Sequence, residues 1–362
     1  MGKFDKDRYL KELAMQFCLA RGMLPFLEVV VSSASELTEK PEVLTDLDVL
    51  GIEFVSDSNI RRTLFDCKSG KMSPINRAFW ASGVASYTGC DEAMVLLKTP
   101  AVFNHRISAL RMRVDLHDEK SFRDLSLTYD AAFDRHNMYQ SSIDRWNALA
   151  DAYARNVWSE GLNSLTNNIA PLSNAPWHAF RRFVAELRDL RGQFDPANRE
   201  HIAIFLNALA SVFLLWASIG RDVRRFYEPT MDKKKFEISL RYYIWGGKEA
   251  YELRRHMREK LEKNAPESTV FDLRAWDKLI AFAGLVMHAP QEIFRCAVVS
   301  RELAIREVNA PDAKLDLSLN AMINSNKRVR QFSLSMAEYL IAASGIPREM
   351  KTAIESLFLK SL

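Results

Sequence analysis

The chain has 362 residues, of which 48% are hydrophobic and 27% charged, a balance typical of a folded protein and not of a disordered one. This length is sufficient for two or three domains with their own cores. The formal net charge of +4 is modest. Four cysteines are scattered along the chain without a C-x-x-C pair, which argues against a zinc site or a disulfide framework and fits a reducing, cytoplasmic location.

The first third of the chain alternates helical and strand patterns. Apolar residues at helical spacing predict a helix over 5–20, which Arg21-Gly22 ends. Hydrophobic and β-branched segments predict strands over 26–31, 45–55 and 61–68, with a turn at 56–59. A second helix is predicted from Pro74 to about Tyr87, followed by a strand over 93–98 and a helix over 103–113.

Two acidic motifs lie on neighbouring predicted strands of this region. Asp48 follows Leu47 on the second strand, and Asp66-Cys67-Lys68 ends the third. Because successive side chains of a strand point to opposite faces, Asp66 and Lys68 share one face. Two carboxylates and an ammonium at one point are typical of a site that binds a divalent cation and hydrolyses a phosphodiester.

These residues, in this order of helix, three strands, helix and strand, resemble the restriction-endonuclease-like PD-(D/E)xK nuclease superfamily. The resemblance covers about the first 120 residues and implies a catalytic set of Asp48, Asp66 and Lys68. It also implies a Mg²⁺ or Mn²⁺ cofactor held by Asp48 and Asp66. Leu47 stands where the family's name has proline. Many members add a glutamate from the first helix, and Glu12 is the candidate for that metal ligand.

Several alternatives remain open within the motif region. Asp46 shares a strand face with Asp48 and is the rival first acid. Glu12 is equally compatible with a solvent-facing helix position. Lys71 and Arg77 follow the second motif and are candidate phosphate contacts, although a plain surface role fits both.

From about residue 129 the strand patterns cease, and helical apolar spacing continues to the end of the chain. We therefore predict an α/β nuclease-like domain over 1–125 and an all-α domain over 126–362 that recognises substrate or a partner. Residues 221–263 carry 13 basic and 8 acidic residues. Within them, Lys233, Lys234 and Lys235 are candidate nucleic-acid contacts, against the alternative of a solvated helix with mixed charge.

Residues 202–220 contain no charged side chain and reach the length of a membrane span. The polar Asn207 near their centre, and the absence of a second such segment, favour a buried core helix. The resulting hypothesis is a cytoplasmic, metal-dependent nuclease, acting on DNA in preference to RNA, in defence or DNA processing. A homodimer or an accessory protein bound through the helical domain is compatible with it. The alternatives are an inactive nuclease fold that serves as a binding module, and a membrane-tethered effector.

Overall fold

The computed structural model describes residues 5–33, 42–55, 59–135, 137–261 and 273–359. The chain divides into two compact units, 1–148 and 149–362. The boundary lies later than the predicted position at residue 125. The first unit extends past residue 125 because the short helical turns Phe133–Arg135 and Tyr139–Ser141 pack against the first helix, with Phe133 and Tyr139 buried.

The first unit contains a five-stranded mixed sheet with helices on both faces. Its elements are α1 (Arg8–Ala20), β1 (Leu24–Ser32), β2 (Val43–Val55), β3 (Asn59–Lys68), α2 (Pro74–Thr88), β4 (Glu92–Leu97), α3 (Phe103–Leu110), β5 (Val114–Asp118) and α4 (Glu119–Tyr129). The strands lie in chain order across the sheet. The pairs β1–β2 and β2–β3 are antiparallel, and β3–β4 and β4–β5 are parallel.

The predicted elements of this unit are present, and the structure adds a strand, β5, and a helix, α4. The apolar spacing predicts that the helix beginning at Phe103 continues to residue 113, whereas α3 ends at Leu110 and β5 follows at Val114. Only Val114 and Leu116 of the five residues of β5 are buried, an alternation too short to stand out as a strand signal. Three of the four positions of the predicted turn at 56–59 lie outside the described residues.

One face of the sheet packs on an aromatic core, and the opposite face combines buried aliphatic side chains (Leu50, Leu64 and Val95) with charged residues near the end of β3. Phe65 points toward α1, where its ring lies 5.8 Å from that of Phe17. The next residue, Asp66, points the opposite way and contacts Arg77 of α2. One strand therefore anchors the core and presents a carboxylate on its other face.

Beyond β5 the described chain is helical, as the apolar spacing predicts. The helices are α5 (Ile143–Arg155), α6 (Glu160–Ser164), α7 (Ala170–Leu172), α8 (Pro176–Asp189), α9 (Arg199–Phe226), α10 (Lys233–Trp245), α11 (Lys248–Leu261), α12 (Trp276–His288), α13 (Glu292–Val308), α14 (Ala313–Asn324), α15 (Lys327–Ser344) and α16 (Glu349–Leu359). A π-helical turn, Leu165–Ile169, joins α6 to α7.

The apolar segment 202–220 lies within α9, the central helix of the second unit. By length and composition α9 alone among the described helices could cross a membrane, but 94% of its most apolar window is buried inside the protein. The Trp216 ring lies 5.5 Å from that of Phe180 on α8 and 5.0 Å from that of Phe282 on α12. Asn207 donates hydrogen bonds to Tyr153 (3.2 Å) and to the side chain of Asn167 (3.3 Å). This packing is that of a core helix; the Asn207 amide nitrogen is paired inside the domain, whereas its buried Oδ1 has no hydrogen-bond partner.

Gly51 of β2 provides a test of the packing between the sheet and α1. A Cβ atom at this position would lie 2.8 Å from the sulfur atoms of Cys18 and Met23. We expect Gly51→Ala to lower the free energy of unfolding by about 1–3 kcal/mol through overpacking. Gly83 is the control, because it is an exposed glycine of α2 at which an added Cβ would have no neighbouring atom within 4 Å. Gly83→Ala should raise stability by up to about 1 kcal/mol in urea denaturation.

Candidate active site

The candidate site lies where β2 and β3 separate. The last backbone-paired residues of the two strands are Val49 and Phe65, and Asp48 and Asp66 are the next residue on each strand. Beyond that pair the partner of the Cys67 N–H on β2 is a side chain and not a backbone carbonyl: the Asp48 carboxylate accepts its hydrogen bond at 2.8 Å. Asp48 thus occupies the gap between the strands because it replaces a backbone acceptor there. The side chains of Asp48 and Asp66 are only 6% and 1% exposed.

The Lys68 ammonium joins the two carboxylates. Its Nζ lies 2.9 Å from Asp48 Oδ2 and 3.8 Å from Asp66 Oδ1. The structure therefore brings Asp48, Asp66 and Lys68 together on one face of the sheet. Asp46, the rival first acid, is exposed, so Asp48 is the acid of β2 that contacts Lys68.

A third carboxylate and a second lysine extend this cluster toward β1. Glu28 lies between Leu27 and Val29, which pair with Val49 and Leu47, and so it stands opposite Asp48. Its backbone is left-handed, with φ of 52°. Lys11 of α1 lies between the two acids, with Nζ 2.8 Å from Glu28 Oε1 and 3.6 Å from Asp48 Oδ1. Asp5 is a further partner of the same ammonium, at 2.9 Å.

Arg77 of α2 closes the other end of the cluster. Its Nε and a terminal nitrogen donate to the two oxygens of Asp66, a bidentate pairing that fits the planar guanidinium. The guanidinium carbon also lies 3.6 Å from the centre of the Trp80 ring. The sequence indicates a phosphate contact or a surface residue at Arg77, and in the structure it is a partner of Asp66, 16% exposed.

The segment before α1 also belongs to the cluster. Asp7 precedes the first residue of α1, but its side chain does not cap that helix. It accepts hydrogen bonds from the Ser69 backbone N–H (2.7 Å) and hydroxyl (2.6 Å) at the end of β3. A second oxygen of Asp7 lies 4.0 Å from Lys68 Nζ.

Burial and charge perturb the site groups in opposite directions. Burial raises the pKa of Asp66, although the hydrogen bonds and charge of Arg77 act to lower it. Burial lowers the pKa of Lys68, but the charge and hydrogen bond of Asp48 outweigh burial and the net pKa is raised. The pKa of Lys11 is raised as well, by its hydrogen bonds to Glu28 and Asp5 against the effect of burial. Both lysines are therefore ammonium ions at neutral pH.

The structure does not place Glu12 at this site. Its partners are the backbone N–H of Ile143 and the charges of Arg8, Asp144 and Arg145, and burial raises its pKa. The neighbouring residue Lys11 occupies the position facing Asp48, since a shift of one residue rotates a side chain by about 100° around the helix axis. Glu12 is not among the side chains that contact Asp48 or Lys68, and its role as a metal ligand stays a prediction.

The remaining predicted contacts are exposed. Lys71 follows β3 on the surface, and Lys233–Lys235 occupy the first turn of α10 in the second unit, after the capping residue Asp232. The amino-terminal turn of a helix disfavours positive charge, so this position is not selected for helix stability.

Reasoning from motifs alone misses Lys11 and Glu28. One signal is present for Lys11: it interrupts the apolar face formed by Leu10, Leu13 and Ala14, all of which are buried. A lysine on the buried face of an amphipathic helix requires a carboxylate partner. Glu28 gives no comparable signal, because its position depends on the strand register and on an unusual backbone conformation.

Comparison with protein-family models, curated proteins and solved structures gives no match to this chain. Among the residues that the structure describes, no group of three or more His, Cys, Asp or Glu side chains is arranged to hold a metal ion. The candidate site therefore rests on its own geometry, with two buried carboxylates as the available acidic ligands.

The Lys11 contacts lead to a stability prediction. Lys11→Met keeps the aliphatic stem but leaves Asp48 with one cationic partner fewer in a buried position. We expect a loss of about 3 kcal/mol in the free energy of unfolding, the cost typical of breaking a buried ion pair. Arg8→Met is the control, because the Arg8–Asp144 pair (2.6 Å) is exposed and contributes about 0–1 kcal/mol. Equal losses for the two variants in urea denaturation would contradict a special role for Lys11.

Proposed function

We propose that this protein is a metal-dependent nuclease that hydrolyses phosphodiester bonds, with Asp48, Asp66 and Lys68 as its catalytic residues. The observation that carries the proposal is the Lys68 ammonium within 4 Å of both buried carboxylates, on adjacent strands. The sheet order and the resemblance of the motif to restriction-endonuclease-like nucleases support the same proposal. DNA is the favoured substrate because members of that superfamily mostly cut DNA.

The charge of the cluster supports a divalent cation. Five carboxylates are linked to one another through cations that they share: Asp5, Asp7, Glu28, Asp48 and Asp66. The linking cations are Lys11, Lys68 and Arg77. Five negative and three positive groups leave a net charge of about −2, which one divalent ion would neutralise. Mg²⁺ accepts one or two protein carboxylates and completes its octahedron with waters and substrate phosphates. Asp48 and Asp66 would hold Mg²⁺ or Mn²⁺ in this way.

In the proposed reaction a water oxygen attacks phosphorus and releases a proton to solvent, the bond to the sugar oxygen on the opposite side breaks, and that oxygen takes up a proton from solvent. A bound divalent ion supplies an acidic water and a positive charge near the phosphate oxygens. Lys68 is held as an ammonium by Asp48, so its part is to orient the water and to offset the charge that develops on phosphorus. Asp48 and Asp66 orient that ammonium as well as serving as ligands.

Arg77 would respond to occupation of the site. It holds both oxygens of Asp66, the same atoms that would face a metal ion. A bound ion would compete with Arg77 for these oxygens, and a guanidinium released from Asp66 would be available to contact a substrate phosphate. The stacking contact with Trp80 keeps Arg77 close to the site while its partner changes.

The second unit would contribute to recognition. Its exposed Lys233–Lys235 cluster is suited to contacts with a nucleic-acid backbone, which are electrostatic and independent of sequence. A homodimer or an accessory protein bound to this unit would be compatible with the same activity.

One observation favours a second candidate, a nuclease-like fold that binds nucleic acid without cutting it. Lys11, Lys68 and Arg77 already provide each buried carboxylate with cationic partners. An inactive site stabilised by internal ion pairs would have the same appearance. Cleavage assays with catalytic variants distinguish the two functions.

The central test compares wild type with Lys68→Ala on supercoiled DNA, linear DNA and RNA, with Mg²⁺, with Mn²⁺ or with EDTA. We expect EDTA to abolish cleavage, and Lys68→Ala to reduce it by about 10²–10³-fold, because the ammonium acts on charge that develops in the transition state. Asp66→Asn should abolish metal-dependent cleavage while retaining binding of nucleic acid.

The controls are Lys98→Ala, an exposed lysine that follows β4, and Asp115→Asn, an exposed carboxyl of β5. Both should leave cleavage within about twofold of wild type, as expected of surface positions. If wild type and Lys68→Ala show the same residual activity on all substrates, catalysis is ruled out and the binding module becomes the better description.

A separate prediction concerns Lys233–Lys235. Replacing all three with Gln should weaken binding of DNA and reduce the slope of log affinity against log salt by up to about 3, while turnover of bound substrate is retained. Replacing Lys120, Lys314 and Lys327, three scattered exposed lysines, makes the same change in net charge. A similar loss of binding in both triple variants would show that net charge, and not this cluster, controls the affinity.

A further inference from the structure

The second unit contains a cavity of about 260 Å³ whose described lining is strongly basic. It lies among α8, α11, α15, the end of α10 and the residues just before α12. The basic residues that line it are His178, Arg181, Arg182, Arg188, Arg254 and Arg274. No Asp or Glu is among the described residues of the lining.

Trp245 holds two of these arginines together. The guanidinium carbon of Arg181 lies 4.8 Å from the centre of the indole ring, and that of Arg254 lies 5.2 Å from it. Each contact is a cation–π interaction, which stabilises a guanidinium without neutralising it. The indole is 9% exposed, so its ring is occupied by the two arginines and is not open for a base to stack on.

Arg181 is incompletely satisfied in this position. Its Nε is buried and has no hydrogen-bond partner, and the same is true of the Trp245 Nε1. Burial and the neighbouring charge of Arg254 lower the pKa of Arg181 to about 10. Buried donors without acceptors and like charges in contact both destabilise a fold, so this arrangement is not explained by stability.

Two acidic residues of α8, Glu186 and Asp189, interact with arginines of the lining. Asp189 lies 3.8 Å from Arg188, but this pair joins adjacent residues and Asp189 is 71% exposed. Glu186 is one turn along α8 from Arg182 and interacts with its charge, yet it does not line the cavity. Neither interaction involves Arg181 or Arg254.

We infer that this cavity binds the diphosphate or triphosphate group of a small organic phosphate. Guanidinium groups match phosphate oxygens with paired, charge-assisted hydrogen bonds, and several arginines around a small volume suit an anion with several charges. A cavity of this size is close to the lower limit for small-molecule sites and accommodates a compact group in preference to a nucleic-acid duplex. The inference does not depend on the nuclease proposal, since the cavity lies wholly within the second unit.

The test uses the full chain and three probes: inorganic pyrophosphate, ATP and a 5′-phosphorylated single-stranded oligonucleotide. Binding is measured by titration calorimetry, and the shift in Tm is recorded with each probe. We expect saturable binding of pyrophosphate and ATP, with Tm raised by about 5 °C at a hundredfold excess over Kd. Arg181→Gln and Arg254→Gln should each weaken binding by about tenfold or more, the loss expected for a charged hydrogen bond.

The control is Arg328→Gln, an exposed arginine of α15 outside the lining, which should bind both probes like wild type. Without ligand, Arg181→Gln should have a Tm equal to or above that of wild type, because it removes a like charge from the cluster. This result separates a loss of binding from a loss of folding.

Three outcomes would overturn the inference. The first is wild type showing no saturable binding of pyrophosphate or ATP. The second is an equal loss of affinity in Arg328→Gln. The third is binding of the oligonucleotide alone through Arg181 and Arg254, which would assign the cavity to a nucleic-acid strand.

Discussion

The first unit depends on a row of alternating charges that crosses three strands. Glu28, Asp48 and Asp66 stand side by side on β1, β2 and β3, with Lys11 and Lys68 between them and Arg77 at the end. Asp48 and Asp66 are buried, and carboxylates in such a row repel one another unless cations separate them. The row therefore requires α1, α2 and the three strands to be in place together, and any chemistry at the site uses groups that also hold these elements in position.

The sequence is sufficient for most of the first unit because its signals are local. Apolar spacing indicates α1, and the D-x-K motif places Asp66 and Lys68 on one face from strand alternation alone. The contact between Asp48 and Lys68 requires only the correct pairing of two consecutive strands. By contrast, β5 is too short for its alternation to be distinctive, and the choice between Lys11 and Glu12 depends on the rotation of α1 against the sheet.

The sequence predicts that the second unit is helical, but it does not predict how the helices pack. The uncharged segment of α9 indicates a core helix, and the Asn207 amide nitrogen donates to two partners from outside that helix. The basic cavity could not have been predicted, because its residues come from positions 178 to 343 and meet only through helix packing. The arginines of α8 look like those of any solvated helix face, and Trp245 looks like a core residue. Only the structure shows that Arg181 and Arg254 meet at the Trp245 ring.

Asp7 illustrates how the fold links two distant ends of the site. An aspartate at the start of a helix ordinarily accepts hydrogen bonds from the first free N–H groups, and losing such a cap costs about 1 kcal/mol. Here the Asp7 carboxylate accepts hydrogen bonds from Ser69 and approaches Lys68. These contacts attach the first turn of α1 to the end of β3. Lys11 lies in that turn and faces Asp48. Formation of the Asp7–Ser69 hydrogen bonds and ordering of the first turn of α1 are therefore coupled. A ligand that contacts Ser69 or Lys68 would therefore also fix Lys11, without touching it.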